Sequence, residues 1–299
     1  SRLFKPLGIT DVLWKSDPNG INLGSSGLQM KATDMGKIGY LYLNGGEWDG
    51  EQVVPDTWVE ASTRAQIEAG TLQEGYGYQW WVDVEGIYMA LGFAGQFIFV
   101  APGQDIVVFF TSGLKGSDFG VPESLLKQYI IPAALSDQPL PENSGGWAAL
   151  QSQQEQFAHP KPEPVPPLPQ VAQTVSGNTY ILDEDLLGFE AIGLEFEENV
   201  DQALFRLTTS NGNLALPVGL DGVFRVTPHE LQLDPYFLHA PIALKGAWLN
   251  EDSFVLFFQN VGSPDDIRFQ LDFEGDEVLV HFTEETTSYA ITVRGRINR

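Results

Sequence analysis

The stretch ALGFAGQFIFVAPGQDIVVFFTSG, residues 90–113, decides the fold of the first half of the chain. It contains two runs, residues 96–101 and 106–112, that are rich in the aromatic and β-branched side chains typical of strands. Pro102-Gly-Gln-Asp105 joins the two runs, and a connection this short cannot make a parallel crossover. We therefore predict two adjacent antiparallel strands, the first of which follows a lead-in of small residues.

The segments around this pair predict an α+β arrangement. Thr33 is a plausible N-cap for one amphipathic helix, and Pro55 suits the first turn of another. The predicted helices cover residues 33–43, 55–65 and 122–131, and further strands cover residues 76–84 and 88–91. Helices followed by consecutive short strands and a closing helix indicate an antiparallel sheet in an α+β fold.

A proline-dense segment divides the chain into two parts. Residues 159–169 have neither helical nor strand periodicity, and their composition predicts an extended polyproline spacer. We therefore predict a first domain over residues 1–138, a Pro-rich linker over residues 139–170 and a second domain over residues 171–299.

The second domain has the sequence texture of an all-β fold. Short alternating runs recur between turn signals, at the spacing of a barrel or a sandwich. In one such run the alternation predicts that Phe269, Leu271 and Phe273 point into the core. The predicted fold class of the whole chain is therefore α+β followed by an all-β antiparallel domain.

The composition limits the classes of partner and cofactor. The 299 residues carry 16 Lys and Arg against 40 Asp and Glu, a formal charge of −24, so nucleic acid and anionic membrane surfaces are poor partners. No apolar run approaches the roughly 18 residues of a membrane-spanning helix, so we expect no membrane insertion. Cys is absent, which excludes thiolate sites and disulfides. The His residues lack metal-ligand spacing, and we expect no metal or cofactor: His159, His229, His239 and His281.

The first segment resembles the C-terminal half of the β-lactamase-related serine hydrolases, a family of class C-like penicillin-binding proteins and esterases. The matching stretches cover roughly residues 3–135: LFKPLGITDVLW, GLQMKATDMGKIGYLYLNGGEWDGEQVVPDTWVEAST, YGYQWWV and ALGFAGQFIFVAPGQDIVVFFTSG. This resemblance implies one part of an α/β sandwich. The second segment is similar to the lipocalin-like β-barrel that many members append, through GLDGVFRV and IALKGAWL.

The resemblance also implies a site. Members use a Ser-x-x-Lys nucleophile, a Tyr-x-Asn loop and a third motif, Lys-Thr-Gly or His-x-Gly, which flanks the pocket. ALGFAGQF corresponds to the third motif, with Phe93 in place of the Lys or His, and Gly95 as the motif glycine that leaves room for the acyl group. The backbone N–H of Gln96 would face the oxyanion, and Phe93, Ala94, Gly95 and Gln96 would contact substrate. Loss of the cation at Phe93 favours esterase or peptidase chemistry. A buried strand with glycine for close packing is the alternative interpretation of this stretch.

The nucleophile and the second element are expected upstream of residue 1, so we predict no catalytic side chain within this chain. Ser112 and Ser124 both begin Ser-x-x-Lys matches, but the first is predicted in a loop and the second inside a helix. Tyr42-Leu-Asn44 matches Tyr-x-Asn at a predicted helix end, where packing and capping explain both residues. Trp80 or Trp81 is a candidate to line a substrate cleft, and packing alone is the alternative explanation for both residues.

The preferred functional interpretation is a portion of a serine hydrolase that acts on a small ester, amide or peptide and is inactive alone. Its expected partner is the missing N-terminal half of the domain, because Phe97, Phe99, Val107 and Phe109 would otherwise lose cover. The alternative is a non-catalytic binding or interaction protein that uses the barrel or a degenerate hydrolase scaffold. The family resemblance favours an extracytoplasmic location.

Overall fold

The computed structural model describes residues 2–70, 74–136, 138, 141–227 and 241–298. The chain divides into two compact units, Ser1–Pro139 and Leu140–Arg299. Each unit is described by itself. Within the described residues, no helix is both long enough and apolar enough to span a membrane.

The first unit combines short strands with helices. Its elements in chain order are β1 (Val12–Trp14), β2 (Leu28–Met30), α1 (Ala32–Leu43), β3 (Glu47–Trp48), β4 (Glu51–Gln52), α2 (Asp56–Ser62), β5 (Ile67–Glu68), β6 (Gly75–Tyr76), β7 (Trp81–Val82), β8 (Tyr88–Gly92), β9 (Gln96–Ala101), β10 (Ile106–Phe110), α3 (Val121–Leu125) and α4 (Ile131–Ala133). A π-helical stretch, Leu126–Ile130, joins α3 to α4.

Six of these strands form one antiparallel sheet in the order β10-β9-β8-β7-β6-β5. The predicted pair is confirmed: β9 and β10 are adjacent and antiparallel, with Val107 opposite Val100 and Phe110 opposite Phe97. Strand β10 ends at Phe110, two residues earlier than predicted. In the described part of the chain, β10 is the edge of the sheet and pairs on one side only.

The predicted strand over residues 76–84 and the predicted cap of α1 are wrong. The single strand over residues 76–84 is divided into β6 and β7 by a turn in which Gln79 has a φ of 68° and the Gly77 N–H donates to the Trp80 carbonyl at 2.7 Å. The cap of α1 is Lys31, with φ −63° and ψ 145°, so Thr33 lies inside the first turn. Alternation and capping preferences are local signals, and the surrounding backbone overrides both here.

Alternate side chains of β9 are buried on both faces of the sheet. Ile98 and Val100 pack against α1, and Phe97 and Phe99 pack against the helical segment that contains Leu126. The expectation that Phe97 and Phe99 lose cover is therefore wrong, since these two rings are 1% and 0% exposed. Phe109 of the edge strand is 37% exposed.

Close approach of α1 to the sheet depends on one of its glycines. A Cβ on Gly39 would lie 2.5 Å from Cγ1 of Val107 and 2.9 Å from Cγ2 of Ile98. Because real Cβ atoms do not approach carbon so closely, a larger residue would push the helix off the strands. The absence of a side chain at Gly39 therefore sets the distance between α1 and the two strands below it.

The second unit begins with two helices and continues as strands. Its elements are α5 (Ser144–Ala158), α6 (Gln170–Val175), β11 (Thr179–Leu186), β12 (Phe189–Glu195), β13 (Gln202–Thr209), β14 (Gly212–Gly219), β15 (Arg225–Thr227), β16 (Ile242–Trp248), β17 (Ser253–Asn260), β18 (Ile267–Glu274), β19 (Glu277–Glu284) and β20 (Tyr289–Ile297). The linker prediction did not include α5, which Asn143 caps by accepting from the Gly146 N–H at 2.8 Å. Residues 159–169 contain neither helix nor strand, as their proline content predicts.

Nine strands of the second unit close into a barrel. Antiparallel pairing runs β14-β13-β12-β11-β20-β19-β18-β17-β16, and Gly219 of β14 pairs with Lys245 of β16 to complete the ring. Strand β15 adds to β16. Helix α6 packs its buried Ala172 and Val175 against the unit, 0% and 1% exposed.

The barrel interior is filled by side chains. Phe269, Leu271 and Phe273 point inward as predicted and are at most 6% exposed. Phe205, Phe258 and several other rings pack around them. A cavity of about 10 Å³ lies among residues that include Tyr180 and Leu194, which is room for about one water. Apolar side chains therefore occupy the described interior.

A buried ion pair joins the loop after β14 to the first residue of β15. The Asp221 side chain is 3% exposed and receives two hydrogen bonds from the Arg225 guanidinium, at 3.0 and 2.9 Å. Burial of Asp221 opposes its ionisation, but hydrogen bonds from Arg225 and the Val223 N–H outweigh it and lower the pKa of the carboxyl. Because the folded-state pKa is the lower one, this stabilisation is present above about pH 4 and is lost as the pH falls through the lowered pKa.

Arg225→Leu is expected to lower the free energy of unfolding by about 3 kcal/mol, because it leaves a buried carboxylate without its cation. The matched control is Arg206→Leu, which removes a pair with Glu195 in which the Arg206 side chain is 48% exposed. Urea unfolding followed by far-ultraviolet circular dichroism measures both effects at pH 7. Equal destabilisation by the two variants would contradict the importance of the buried pair.

Candidate functional site

The predicted site residues form a tight turn between β8 and β9. Gly92 and Gln96 are opposite each other in the pairing of the two strands, and Phe93, Ala94 and Gly95 make one turn of 3-10 helix between them. Ala94 has φ 58° and ψ 22°, in the left-handed region, and Gly95 has φ 90°. A left-handed non-glycine residue is strained and persists only where its surroundings hold it in place.

A segment after β10 holds this turn from the other side. We call residues 112–114 the strap. The Leu114 N–H donates to the Ala94 carbonyl at 2.9 Å, and the Gln96 side-chain amide donates to the Ser112 carbonyl. Sequence reasoning did not find the strap, because Thr-Ser-Gly-Leu after a strand is an ordinary loop signal.

Gly95 fits against the strap rather than beside open space. A Cβ on Gly95 would lie 2.8 Å from Cδ1 of Leu114 and 3.0 Å from Cβ of Ser112. The direction that a side chain would take is therefore filled by protein. The expectation that Gly95 leaves room for an acyl group in that direction is wrong, since the glycine is needed for close packing and for its positive φ.

The four predicted site residues differ in accessibility. Phe93 is 60% exposed, whereas Ala94 is 3% exposed. Gly95 is also buried, and Gln96 is half-buried. Among the side chains of the turn, Phe93 is therefore the one placed to meet a substrate, and Ala94 and Gly95 shape the backbone.

The Ser112–Lys115 match does not open a helix. Both residues lie in the segment after β10, outside any helix or strand. The Ser112 side chain packs towards Gly95. This setting differs from that of the Ser-x-x-Lys nucleophile in the family that the sequence resembles, which begins a helix.

Ser124 and Lys127 are also engaged elsewhere. The Ser124 hydroxyl donates to the Gly120 carbonyl at 3.0 Å, within its own helix. The Lys127 ammonium lies 3.2 Å from Oδ2 of buried Asp83 and 2.9 Å from Oε1 of Glu123. Desolvation of Lys127 favours the neutral form, but the hydrogen bonds to Glu123 and Asp83 raise its pKa overall. A lysine held in the charged form is a poor general base.

The remaining sequence matches have structural roles. Tyr42 packs on Trp80 with ring centroids 4.7 Å apart. The Asn44 side chain donates to the Tyr40 carbonyl at the C-terminus of α1. Trp80 is 4% exposed, and Trp81 packs edge-on against Tyr76 at 4.8 Å. Packing accounts for both tryptophans.

Among the described residues, no group of three His, Asp or Glu side chains is arranged to hold a metal ion. His281 lies on the barrel, with Nε2 3.0 Å from Oδ2 of Asp272 and Nδ1 2.8 Å from Oγ1 of Thr292. These contacts join three neighbouring strands on the outside of the barrel. His229 and His239 lie outside the described residues.

Comparison with known proteins relates the chain to hydrolases. It is 30% identical over 103 residues to the 6-aminohexanoate-dimer hydrolase of Paenarthrobacter ureafaciens, a match that covers 31% of this chain and 26% of that protein. The chain therefore spans about a quarter of the length of this curated relative. The sequence similarity supports a relationship with β-lactamase-related hydrolases. No family model matches the chain.

Parts of the chain are also similar to solved structures. A candidate 6-aminohexanoate-dimer hydrolase from Bacillus anthracis is 28% identical, with TM-score 0.37, over 44% of this chain and 36% of that one. The fatty-acid-binding protein of Manduca sexta is 12% identical, with TM-score 0.31, over 41% of this chain and 98% of that one. The octameric penicillin-binding protein homologue of Pyrococcus abyssi is 13% identical, with TM-score 0.26, over 98% of this chain and 58% of that one. TM-scores this low support no conclusion from the superpositions.

Gly95→Ala is expected to destabilise the first unit by about 1–3 kcal/mol, because the new methyl group clashes with the strap and φ stays positive. Gly103→Ala is the control, since a Cβ there meets nothing within 4 Å and no positive φ is required. Thermal unfolding of both variants measures the difference. A Gly95→Ala protein as stable as the Gly103→Ala protein would show that the strap does not pack on the turn.

Proposed function

We propose that residues 1–138 are the C-terminal portion of a β-lactamase-related serine hydrolase domain, which cleaves an ester or amide through an acyl-serine intermediate. The Ser-x-x-Lys nucleophile comes from a segment outside these 299 residues. The observation that carries this proposal is the 30% identity over 103 residues to a hydrolase, in a chain whose Phe93–Gly95 turn is rigidly held. Residues 139–170 then connect this domain to a lipocalin-like barrel over residues 171–299.

The turn supplies the electrostatic part of the site in this proposal. The Gln96 backbone N–H is the oxyanion donor, and Phe93 contacts the substrate at the pocket mouth. Donors to an oxyanion must be fixed before the reaction, because reorganisation during the reaction would consume the stabilisation they provide. Two hydrogen bonds support this role. The Leu114 N–H of the strap donates to the Ala94 carbonyl, and the Gln96 side-chain amide donates to the Ser112 carbonyl of the strap. Together they hold the backbone on both sides of Gly95.

The nucleophile-bearing segment has a suitable place to join the sheet. Strand β10 reads Ile-Val-Val-Phe-Phe and pairs only with β9 among the described residues. An apolar edge strand without charges or proline is unprotected against pairing with another strand. A strand of the N-terminal half of the domain would cover this edge, and Phe109 with it.

The substrate is proposed to be a small ester, amide or peptide. The name of the curated relative gives the 6-aminohexanoate dimer as the compound that protein hydrolyses, and this amide is the first substrate to test here. The barrel is not proposed as a ligand carrier, because aromatic side chains fill its described interior.

The chain alone is expected neither to hydrolyse p-nitrophenyl esters nor to react with a fluorophosphonate probe, because neither Ser-x-x-Lys match begins a helix: Ser112 lies outside any helix and Ser124 lies inside α3. Together with its nucleophile-bearing segment, the same chain is expected to be active and the added segment to be labelled. Intact-mass analysis after probe treatment shows whether this chain or the added segment carries the label. Labelling of Ser112 or Ser124, abolished by Lys115→Ala or Lys127→Ala, would contradict the proposal. A complete protein without activity would favour the non-catalytic binding alternative.

In the complete hydrolase, Phe93→Lys is expected to lower KM for a carboxylate-bearing ester about tenfold relative to a neutral ester, because a partly desolvated ion pair contributes about 1–2 kcal/mol. Phe93→Ala should change the substrate preference and KM more than kcat. The control is Val84→Lys, which adds the same charge to the turn at the opposite end of β8, where Val84 is 75% exposed. Equal effects of the two lysine variants would indicate long-range attraction and exclude Phe93 from the substrate site.

A further inference from the structure

We infer that the Gln96 side chain is a positioning residue, which fixes the backbone of the Phe93–Gly95 turn by hydrogen bonding to the strap rather than by contacting substrate. The inference rests on the proposed function of this turn. It assigns separate tasks to one residue: the backbone N–H of Gln96 faces the reacting group, and its side-chain amide holds that N–H in place.

The geometry gives the Gln96 amide a definite partner. Its Nε2 donates to the Ser112 carbonyl, 16 residues later in the chain. The last paired residues of β9 and β10 are Phe97 and Phe110, so the regular ladder stops before the strap. Beyond Phe110, the Gln96 amide takes over the cross-strand hydrogen bonding and keeps the chain alongside β9.

The strap in turn restrains the strained part of the turn. The Leu114 N–H donates to the Ala94 carbonyl at 2.9 Å, which fixes the peptide plane between Ala94 and Gly95. The side chains of Ser112 and Leu114 close over Gly95. The left-handed Ala94 is thus held by its strand on one side and by the strap on the other. Release of the strap would free this backbone to relax out of the left-handed region.

If the side chain and the backbone N–H of Gln96 have separate tasks, substitution of the side chain should affect KM and kcat differently. Loss of the Gln96 amide should leave substrate binding nearly unchanged, because the exposed Phe93 side chain stays at the tip of the turn. It should lower kcat, because a backbone donor that is free to reorient stabilises the transition state less than a fixed donor. A residue that merely contacted substrate would raise KM instead.

The test compares Gln96→Met, which removes the donor at similar length, and Gln96→Glu, which also places a carboxylate near the Ser112 carbonyl. Gln104→Glu is the control, because it makes the same charge change in the exposed turn at the other end of β9. The first readout is amide hydrogen exchange at Leu114 in this chain. Both Gln96 variants are expected to exchange about tenfold faster, and the control at the rate of the original chain.

The second readout is steady-state kinetics of the hydrolase assembled from this chain and its nucleophile-bearing segment. We expect both Gln96 variants to lose kcat at least about tenfold, with KM changed less than about threefold and an unchanged Tm. Faster exchange with unchanged kcat would overturn the inference, and so would a lower kcat with unchanged exchange at Leu114. A Gln104→Glu protein that loses kcat equally would also overturn it, because charge alone would then explain the effect.

Different experimental results would overturn the proposed function and the inference about Gln96. Absence of hydrolysis in the assembled protein with Gln96 intact would overturn the proposed function and, with it, the catalytic part of this inference. Hydrolysis by that protein, with Gln96 variants that behave like it, would overturn only the inference.

Discussion

Burial of β9 on both of its faces is the constraint on which the first unit depends. Its side chains alternate between two apolar layers, with Ile98 and Val100 under α1 and Phe97 and Phe99 under the helical segment around Leu126. Full burial of a large apolar side chain contributes roughly 1.5–3 kcal/mol, so four such residues fix the position of this strand. The close approach of α1 at Gly39 completes the upper layer.

The turn at the head of β9 takes its precision from that burial. A strand fixed on both faces gives Gln96 a fixed starting point, and the pairing with β10 brings the strap back to the same end of the sheet. The strained Ala94 is then stabilised by contacts that the rest of the sheet provides. Strain of this kind concentrates at functional sites, where the surrounding fold maintains it. The buried core of the unit therefore holds the turn in place through β9 and β10.

The second unit is stabilised by closure of its barrel and by the aromatic packing inside it. Its barrel is closed, so its long strands have few free edges, and aromatic rings occupy the interior in place of a ligand. Three of its described arginines are paired with carboxylates on neighbouring strands: Arg206 with Glu195, Arg294 with Glu277, and Arg296 with Glu277 and Asp183. The two carboxylates that are buried in the described part of this unit, Asp221 and Glu284, are both hydrogen-bonded.

The sequence by itself determined those features that depend on neighbouring residues. The short Pro102–Gln104 turn required β9 and β10 to be antiparallel, and the alternation around Leu271 oriented that strand in the barrel. The proline content of residues 159–169 excluded helix and strand there. Only the tertiary structure decided what packs against Gly95, what the Gln96 amide contacts and that Asp83 pairs with Lys127. Each of these contacts joins residues far apart in the chain, and local pattern contains no information about which distant group will fill a given space. The strap was not predictable for that reason: its role exists only once β9 and β10 have paired.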